Sequence, residues 1–347
     1  MKYGILRFTK NIWIQPESRM RRSPRRSISR NEDLFVHIPV LSSSIRQHLL
    51  VDPDGIYFDA TVGTGGHAEI ILSELGSGGM LIGIDRDGEA IEFAKDRLKK
   101  FKGKFKCGQL SFGDIPRFLD ELKIKKVFGF LFDLGVCSLQ LDNPERGFSY
   151  LREGPLDMRM DQSQRLSAYQ VVNSYPLKDL IRIFREYGEE KMSSPIAKAI
   201  LRKREKEKIE TTYQLRRTVE SVINPRHRVK SLSRIFQAVR VEVNRELDEL
   251  KKGLDSAVKY LAPGGRLCVI SYHSLEDRMV KTNFSRLSRD CVCPPDFPVC
   301  TCSARAALRI LTRKPIRPDK DEIKDNPRAK SAKLRVAAKL AEPLEKS

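Results

Sequence analysis

Nearly continuous apolar runs alternate with one-sided helical patterns between residues 56 and 133. Ile56-Tyr-Phe-Asp59, Met80-Leu-Ile-Gly-Ile-Asp85 and Val127-Phe-Gly-Phe-Leu-Phe-Asp133 each end in an acid, and a shorter run covers 105–109. Helical spacing fills the gaps: 68–75 has apolar residues at 68, 71, 72 and 75, and 89–99 and 115–122 follow. Apolar strands alternating with helices predict a parallel sheet covered on both faces, an α/β fold.

The alternation stops near residue 136. Residues 136–232 read as loops and helices with no buried strand. A long amphipathic helix is expected over 233–261, with apolar residues at 236, 239, 243, 247, 250, 254, 258 and 261. Pro263-Gly264-Gly265 then ends it, 266–272 forms a fifth strand, and runs at 308–312 and 332–337 suit an antiparallel edge pair. The expected division is a discontinuous sheet domain over 31–135 and 233–347, with an inserted helical domain over 136–232. Residues 1–30 are expected to be a basic extension without a fold, or an overextended start with Met20 as the initiator.

Charge sharpens the picture. The 347 residues carry a formal +20, of which residues 1–30 hold +8 and residues 303–347 hold +7. Basic ends on a nearly balanced body point to a polyanion such as RNA. No apolar run reaches membrane-spanning length, and no secretory signal is evident, so a soluble cytoplasmic protein is expected. Four of the seven cysteines form Cys291-x-Cys293…Cys300-x-Cys302. That pattern suits a tetrahedral zinc, reduced thiols or disulfides, and spacing does not choose among them.

The chemistry centres on Asp59-Ala-Thr-Val-Gly63-Thr-Gly65-Gly66-His67, a glycine turn between a strand and a helix. Gly63-x-Gly65-x-x-Ala68 fits a dinucleotide fingerprint. Asp59 argues against a pyrophosphate and for a cationic ligand such as S-adenosylmethionine. Asp85 follows Gly66 by nineteen residues, where α/β nucleotide folds hold ribose hydroxyls.

Acids at three strand ends and a Pro-Gly-Gly turn resemble a class I (Rossmann-like) S-adenosylmethionine-dependent methyltransferase. Finer stretches resemble one family, the RsmH (MraW) 16S rRNA cytosine-N4 methyltransferases. They include His37-Ile-Pro-Val-Leu41, Ile84-Asp-Arg-Asp87, Asp133-Leu-Gly-Val136, Gln140-Leu-Asp142, Glu145-Arg-Gly-Phe-Ser149 and Gly154-Pro-Leu-Asp-Met-Arg-Met-Asp161. Further on come Tyr187-Gly-Glu-Glu190, Phe236-Gln-Ala-Val-Arg240, Ser271-Tyr-His-Ser-Leu-Glu-Asp-Arg278 and Asn326-Pro-Arg-Ala-Lys-Ser331. The resemblance runs in order from about residue 37 to 338.

It implies methylation of a cytidine N4 amine at about position 1402 of the small-subunit rRNA. It also implies an inserted helical substrate domain and cofactor contacts from Gly65, Gly66, His67, Asp85, Asp133 and Gln140. Asp59 is added from its strand-end position. Leu110 stands where the family usually has an aromatic beside the adenine. Asp133 is the candidate for stabilising the reacting amine, or it binds cofactor alone. Phe148, Tyr150 and Tyr272 are candidates to stack on the base. Asp157 with Arg159 suits base reading or an ion pair, and His273 is a weaker pocket candidate. Arg226, Arg228, Arg328, Lys330, Lys333 and Arg335 are candidates for the RNA backbone. Two rivals remain at this point: a non-catalytic ribosome-assembly factor on the same fold, and a nicotinamide dehydrogenase.

Overall fold

The structure, a computed structural model, describes residues 39–291, 293, 302 and 305–341. The extension 1–30, His37 and Cys300 lie outside the described residues. Seven strands form one sheet: β1 (Ile56–Asp59), β2 (Met80–Asp85), β3 (Phe105–Gln109), β4 (Val127–Asp133), β5 (Leu261–Ser271), β6 (Leu308–Ile310) and β7 (Lys333–Lys339). Their order is β3-β2-β1-β4-β5-β7-β6. The first five run parallel, and β7 lies antiparallel between β5 and β6. The fold is the α/β class expected from the sequence, and the edge pair is present. Connections reverse direction between β1 and β4, so the ligand crevice belongs at the carboxyl ends of those two strands.

The strands are apolar throughout because helices cover both faces. On one face, Tyr57 and Leu131 pack with α1 (Ser42–Leu49), α2 (Gly66–Glu74) and α3 (Gly88–Arg97) through Leu49, Ile71, Leu72 and Ile91. On the other, Phe58, Phe130 and Phe132 pack with Ile115 and Leu119 of α4 (Ile115–Glu121) and with Leu250 and Leu254. Strand periodicity sends alternate side chains to opposite faces, so neighbours such as Tyr57 and Phe58 serve different cores.

Residues 136–232 contain no strand, only an isolated bridge between Pro155 and Thr211. They fold as α5 (Ser138–Asp142), α6 (Ala168–Ser174), α7 (Leu177–Glu186), α8 (Ser193–Lys206) and α9 (Thr212–Glu220), with 3-10 turns between. These helices share a core of their own, including Val171, Phe184, Ile196 and Val219. That core also takes Ile235, Phe236, Val239 and Val243 from α10 (Arg228–Asn244).

The single helix expected over 233–261 is two helices. α10 stops at Asn244, Arg245 adopts a left-handed φ of 50°, and α11 (Glu246–Tyr260) begins again. The fully buried Asn244 accounts for the break: its Oδ1 accepts from the Met160 amide (2.9 Å) and its Nδ2 donates to the Met158 carbonyl (2.8 Å). The Pro263-Gly264-Gly265 turn also differs from expectation. It lies inside β5, as a bulge where the register with β4 shifts. α12 (Ser274–Leu287) and α13 (Lys320–Asp325) complete the helices. Among the described residues no helix is long and apolar enough to cross a membrane.

Two glycines set how closely the segment after α5 folds back on itself. A Cβ on Gly154 would sit 1.9 Å from the Pro144 carbonyl oxygen, and one on Gly147 (φ 69°) would sit 2.2 Å from that of Pro155. Both obstacles are backbone and cannot swing aside. Gly154→Ala is therefore expected to lower stability by on the order of 2–3 kcal/mol. Urea unfolding should show a lower midpoint at unchanged slope; an unchanged midpoint would contradict the packing described.

Candidate functional site

Parallel strands end together, so the three strand-end acids converge at one edge of the sheet. Asp59 is fully buried; its Oδ1 accepts from the Thr61 amide (3.0 Å), and its Oδ2 has no partner among the described residues. Burial pushes its carboxyl up to about 7. Asp85 accepts from the Asp87 amide at Oδ1 (2.9 Å) and the Gly63 amide at Oδ2 (2.8 Å), and burial pushes it up to about 6. Both are held by backbone amides, with no ion pair among the described residues.

Asp133 has richer company. Its amide donates to Thr61 Oγ1 (2.6 Å), and its Oδ1 accepts from the Tyr272 hydroxyl (2.9 Å). Its Oδ2 lies 3.4 Å from Nδ1 of His67. His67 is buried in the first turn of α2, with Nε2 2.9 Å from the Val40 carbonyl oxygen. A carbonyl only accepts, so Nε2 carries a hydrogen, and the Nδ1–Oδ2 contact is attractive when a proton lies between the two atoms. Burial raises the Asp133 carboxyl, while His67 and the Tyr272 hydroxyl pull it back. Tyr272 itself is pushed well above the ordinary phenol range, by burial first and by Asp133 second.

A buried charge network joins the helical segment to the turn after β2. Arg146, 2% exposed, reaches the Asp87 carboxylate (2.7 Å) and the carbonyls of Arg159 and Met160 (3.1 and 3.0 Å). Gln140 donates from Nε2 to the same Asp87 carboxylate (2.8 Å) and accepts at Oε1 from the Cys137 amide (3.1 Å). Across the crevice, Arg240 holds Glu246 through two bonds of 2.8 Å. Glu276 accepts from the Tyr272 amide (2.9 Å). Against the upward push of burial, His273 and Arg240 hold the Glu276 carboxyl low.

These groups surround a cavity of about 290 Å³. Its walls include Gly63, Gly66, His67, Asp85, Asp133 and Gln140 from the expected set, with Phe112, Leu250 and Tyr272 beside them. Asp59, Gly65 and Leu110 do not line it. Asp59 lies behind Thr61, Gly65 packs against Leu98, and Leu110 turns into the sheet core. Phe112, two residues beyond the expected position, stands at the wall in place of Leu110.

Several other candidates are used for structure. Phe148 is buried with the Arg146 guanidinium 5.9 Å from its ring centre, and Tyr150 packs edge-on against Phe236. Of the three aromatics proposed to stack on a base, only Tyr272 lines the cavity. Arg159 grips Asp157 at 2.9 and 2.7 Å, an ion pair. His273 caps α12 and pairs with Glu276 (3.1 Å). Lys333 and Arg335 both bind Asp277, at 3.0 and 2.6 Å, and so fasten β7 to α12. Arg328 stands at the cavity wall, held by Asp142 at 2.7 and 3.0 Å. Arg226 and Lys330 are exposed, and Arg228 begins α10.

Arg146, Asp87, Arg240 and Glu246 were not singled out from the sequence as site residues. The first three stand inside quoted motifs, and a buried charge inside a motif was the signal available. Among the described residues, two donor sets are close enough to hold a metal ion. In Glu246, His273 and Glu276 both carboxylates are already compensated by Arg240 and His273; the other set is Cys291, Cys293 and Cys302.

A family model described as the MraW methylase family matches residues 34–340. Among curated relatives, three proteins named Ribosomal RNA small subunit methyltransferase H are similar over 88% of this chain. Those of Halothermothrix orenii and Caldicellulosiruptor saccharolyticus are 50% and 51% identical, with 99% and 100% of their own length covered. That of Clostridium botulinum is 46% identical over 99% of its length.

The buried carboxyls carry a pH signature. Asp59 moves from 3.8 to about 7 on folding and Asp85 from 3.8 to about 6, so the folded chain binds more protons in that range. Their contribution is fully present below about pH 4 and is lost as pH rises through the folded values. For Asp59 the scale is at most roughly 4 kcal/mol. The ligand-free protein should lose thermal stability from about pH 4 to about pH 8, and D59N should flatten that fall. Equal slopes for the two proteins would show that Asp59 is not the source.

Proposed function

The chain belongs to the MraW methylase family, and from that premise we propose that it methylates the N4 amine of a cytidine in 16S rRNA. The position is the family's, about 1402, the small ribosomal subunit in the cytoplasm is the partner, and S-adenosylmethionine is the methyl donor. Asp133 carries the reading: it is an acid at the switch point of the sheet, flanked by His67 and Tyr272 and open to the cavity.

The residues present fit the donor. Bound there, S-adenosylmethionine supplies an electrophilic methyl on a sulfonium. Asp85, anchored by two backbone amides, offers its remaining lone pairs to ribose hydroxyls. Gly63 and Gly66 keep the turn low; a Cβ on Gly66 would meet Pro39 at 2.9 Å, and Gly63 has φ 51°. Phe112 and Leu250 provide an apolar wall for a flat base. Asp85 lines the cavity, is raised by burial and has no ion pair among the described residues, so it favours a positively charged occupant, and Asp59 behind Thr61 adds to the negative field. Gln140 positions the turn after β4 rather than reaching freely for a ligand, because both ends of its amide are engaged.

The cytosine amine is a poor nucleophile and sheds a proton as it reacts. Asp133 accepts that proton at a carboxylate oxygen, and Nδ1 of His67 stands next to Oδ2 to take it onward. Tyr272 keeps the carboxyl ionised by donating to Oδ1 and presents its ring to the extruded base. Holding amine and methyl in line supplies most of the acceleration. The helical residues 136–232 form the substrate-recognition side. Arg226, Arg228 and Lys330, with the basic extension 1–30, meet RNA phosphates, while Arg328 and Asp142 brace the mouth of the cleft.

The test uses labelled S-adenosylmethionine and small subunits lacking the modification, followed by nucleoside analysis. Label is expected in N4-methylcytidine; none there would sink the reading. D133N should lower kcat by on the order of a hundredfold or more, with donor affinity changed less than about tenfold. Y272F should move the rising limb of the pH–rate profile to higher pH, because the hydroxyl that lowers the Asp133 carboxyl is gone. A wild-type kcat in D133N would remove Asp133 as proton acceptor.

A further inference from the structure

α12 ends at Leu287 and β6 begins at Leu308, so the two are joined by about twenty residues with no helix or strand among those described. A connection that long without secondary structure is uncommon inside a compact domain. Its neck is closed by backbone: the Ala307 amide donates to the Leu287 carbonyl (2.8 Å), and the Ala306 amide to Oδ1 of Asp290 (3.0 Å). Just beyond the neck, the sulfurs of Cys291, Cys293 and Cys302 all lie within 4.8 Å of one another.

The geometry points to a structural zinc site held by the thiolates of Cys291, Cys293 and Cys302. Cys291 and Cys302 lie on opposite arms of the connection, and their sulfurs are 3.8 Å apart. In a tetrahedral zinc site with Zn–S near 2.3 Å, neighbouring sulfurs stand about 3.8 Å apart. No disulfide joins the described cysteines. Three soft sulfur donors within 4.8 Å of one another match zinc better than calcium or magnesium, which take oxygen. The sequence pattern also holds Cys300, which lies outside the described residues. Binding releases the thiol protons to solvent, so the site strengthens as pH rises.

The site clamps the two arms together outside the cavity, since none of the three cysteines lines it. Its role is to hold the approach to the β6–β7 edge, and it stands independently of the methyl-transfer reading. The free energy of metal binding then stabilises that edge rather than the central strands.

Full-length protein purified without chelator should contain about one zinc per chain by elemental mass spectrometry. Replacing the metal with cobalt should give the near-ultraviolet charge-transfer band and visible d–d bands of a tetrahedral cobalt thiolate. C291S and C302S should lose metal and band, while C107S, outside the cluster, keeps both. Limited proteolysis should cut the 288–307 connection faster in C291S and C302S. If those variants do not fold, the metal content and cobalt spectrum of the wild-type chain decide alone. No zinc with no cobalt thiolate band would overturn the site, as would a disulfide by intact mass or the visible absorption of an iron–sulfur cluster.

Discussion

Asp59, Asp85 and Asp133 end three neighbouring strands of one parallel sheet, so their charges share a small and poorly solvated volume. Each carboxylate is pushed upward by burial, and Asp59 is pushed further by Asp133 and Asp85. Like charges kept this close need donors or a cation to remain ionised. The surrounding structure supplies donors in part: backbone amides for Asp85, Thr61 for Asp59, Tyr272 and His67 for Asp133. What is left over is an unmet demand for positive charge in a cleft of the size and lining described. The cleft binds a cationic methyl donor for the same reason that it is costly to keep empty at neutral pH.

The second wall depends on this arrangement through Asp87. Asp87 is two residues beyond the β2 acid and receives both Arg146 and Gln140, which come from the segment that interrupts the sheet. Removing Arg146 would leave the buried Asp87 carboxylate with Gln140 and the Glu89 amide but no cation, so the two parts of the site are coupled by a desolvated charge. Asn244 performs a parallel service with neutral hydrogen bonds: it ends α10 and ties it to the Met158–Met160 loop. Arg328, Lys333 and Arg335 show the opposite economy. Each looks like a phosphate-binding cation in the sequence, and each is already committed to a carboxylate.

Much of this was legible in the chain. Strands buried on both faces cannot alternate, and that is why β1, β2 and β4 announced themselves as apolar runs ending in Asp. The break between α10 and α11 was hidden because Val243, Leu247 and Leu250 keep helical spacing across Arg245, and one left-handed residue leaves no mark in an apolar pattern. Leu110 was expected at the cavity because position in a motif was followed, but a residue at a strand end turns with the pleat, and the 3-10 turn after β3 brings Phe112 forward instead. Asp59 was read correctly as an acid beside the turn; sequence carries no information on which side of Thr61 its carboxylate lies. Side-chain partners were the least legible feature, since Arg146 and Arg328 pair with residues decided only by the fold.

The strand-end acids are held part-protonated until a cation arrives. Calorimetric titration of the full chain with S-adenosylmethionine at about pH 6.5, in buffers of different ionisation enthalpy, tests it most directly. Binding should release protons, seen as heat that varies with the buffer, and D85N should release fewer. Heat that is the same in every buffer, or proton uptake on binding, would contradict it.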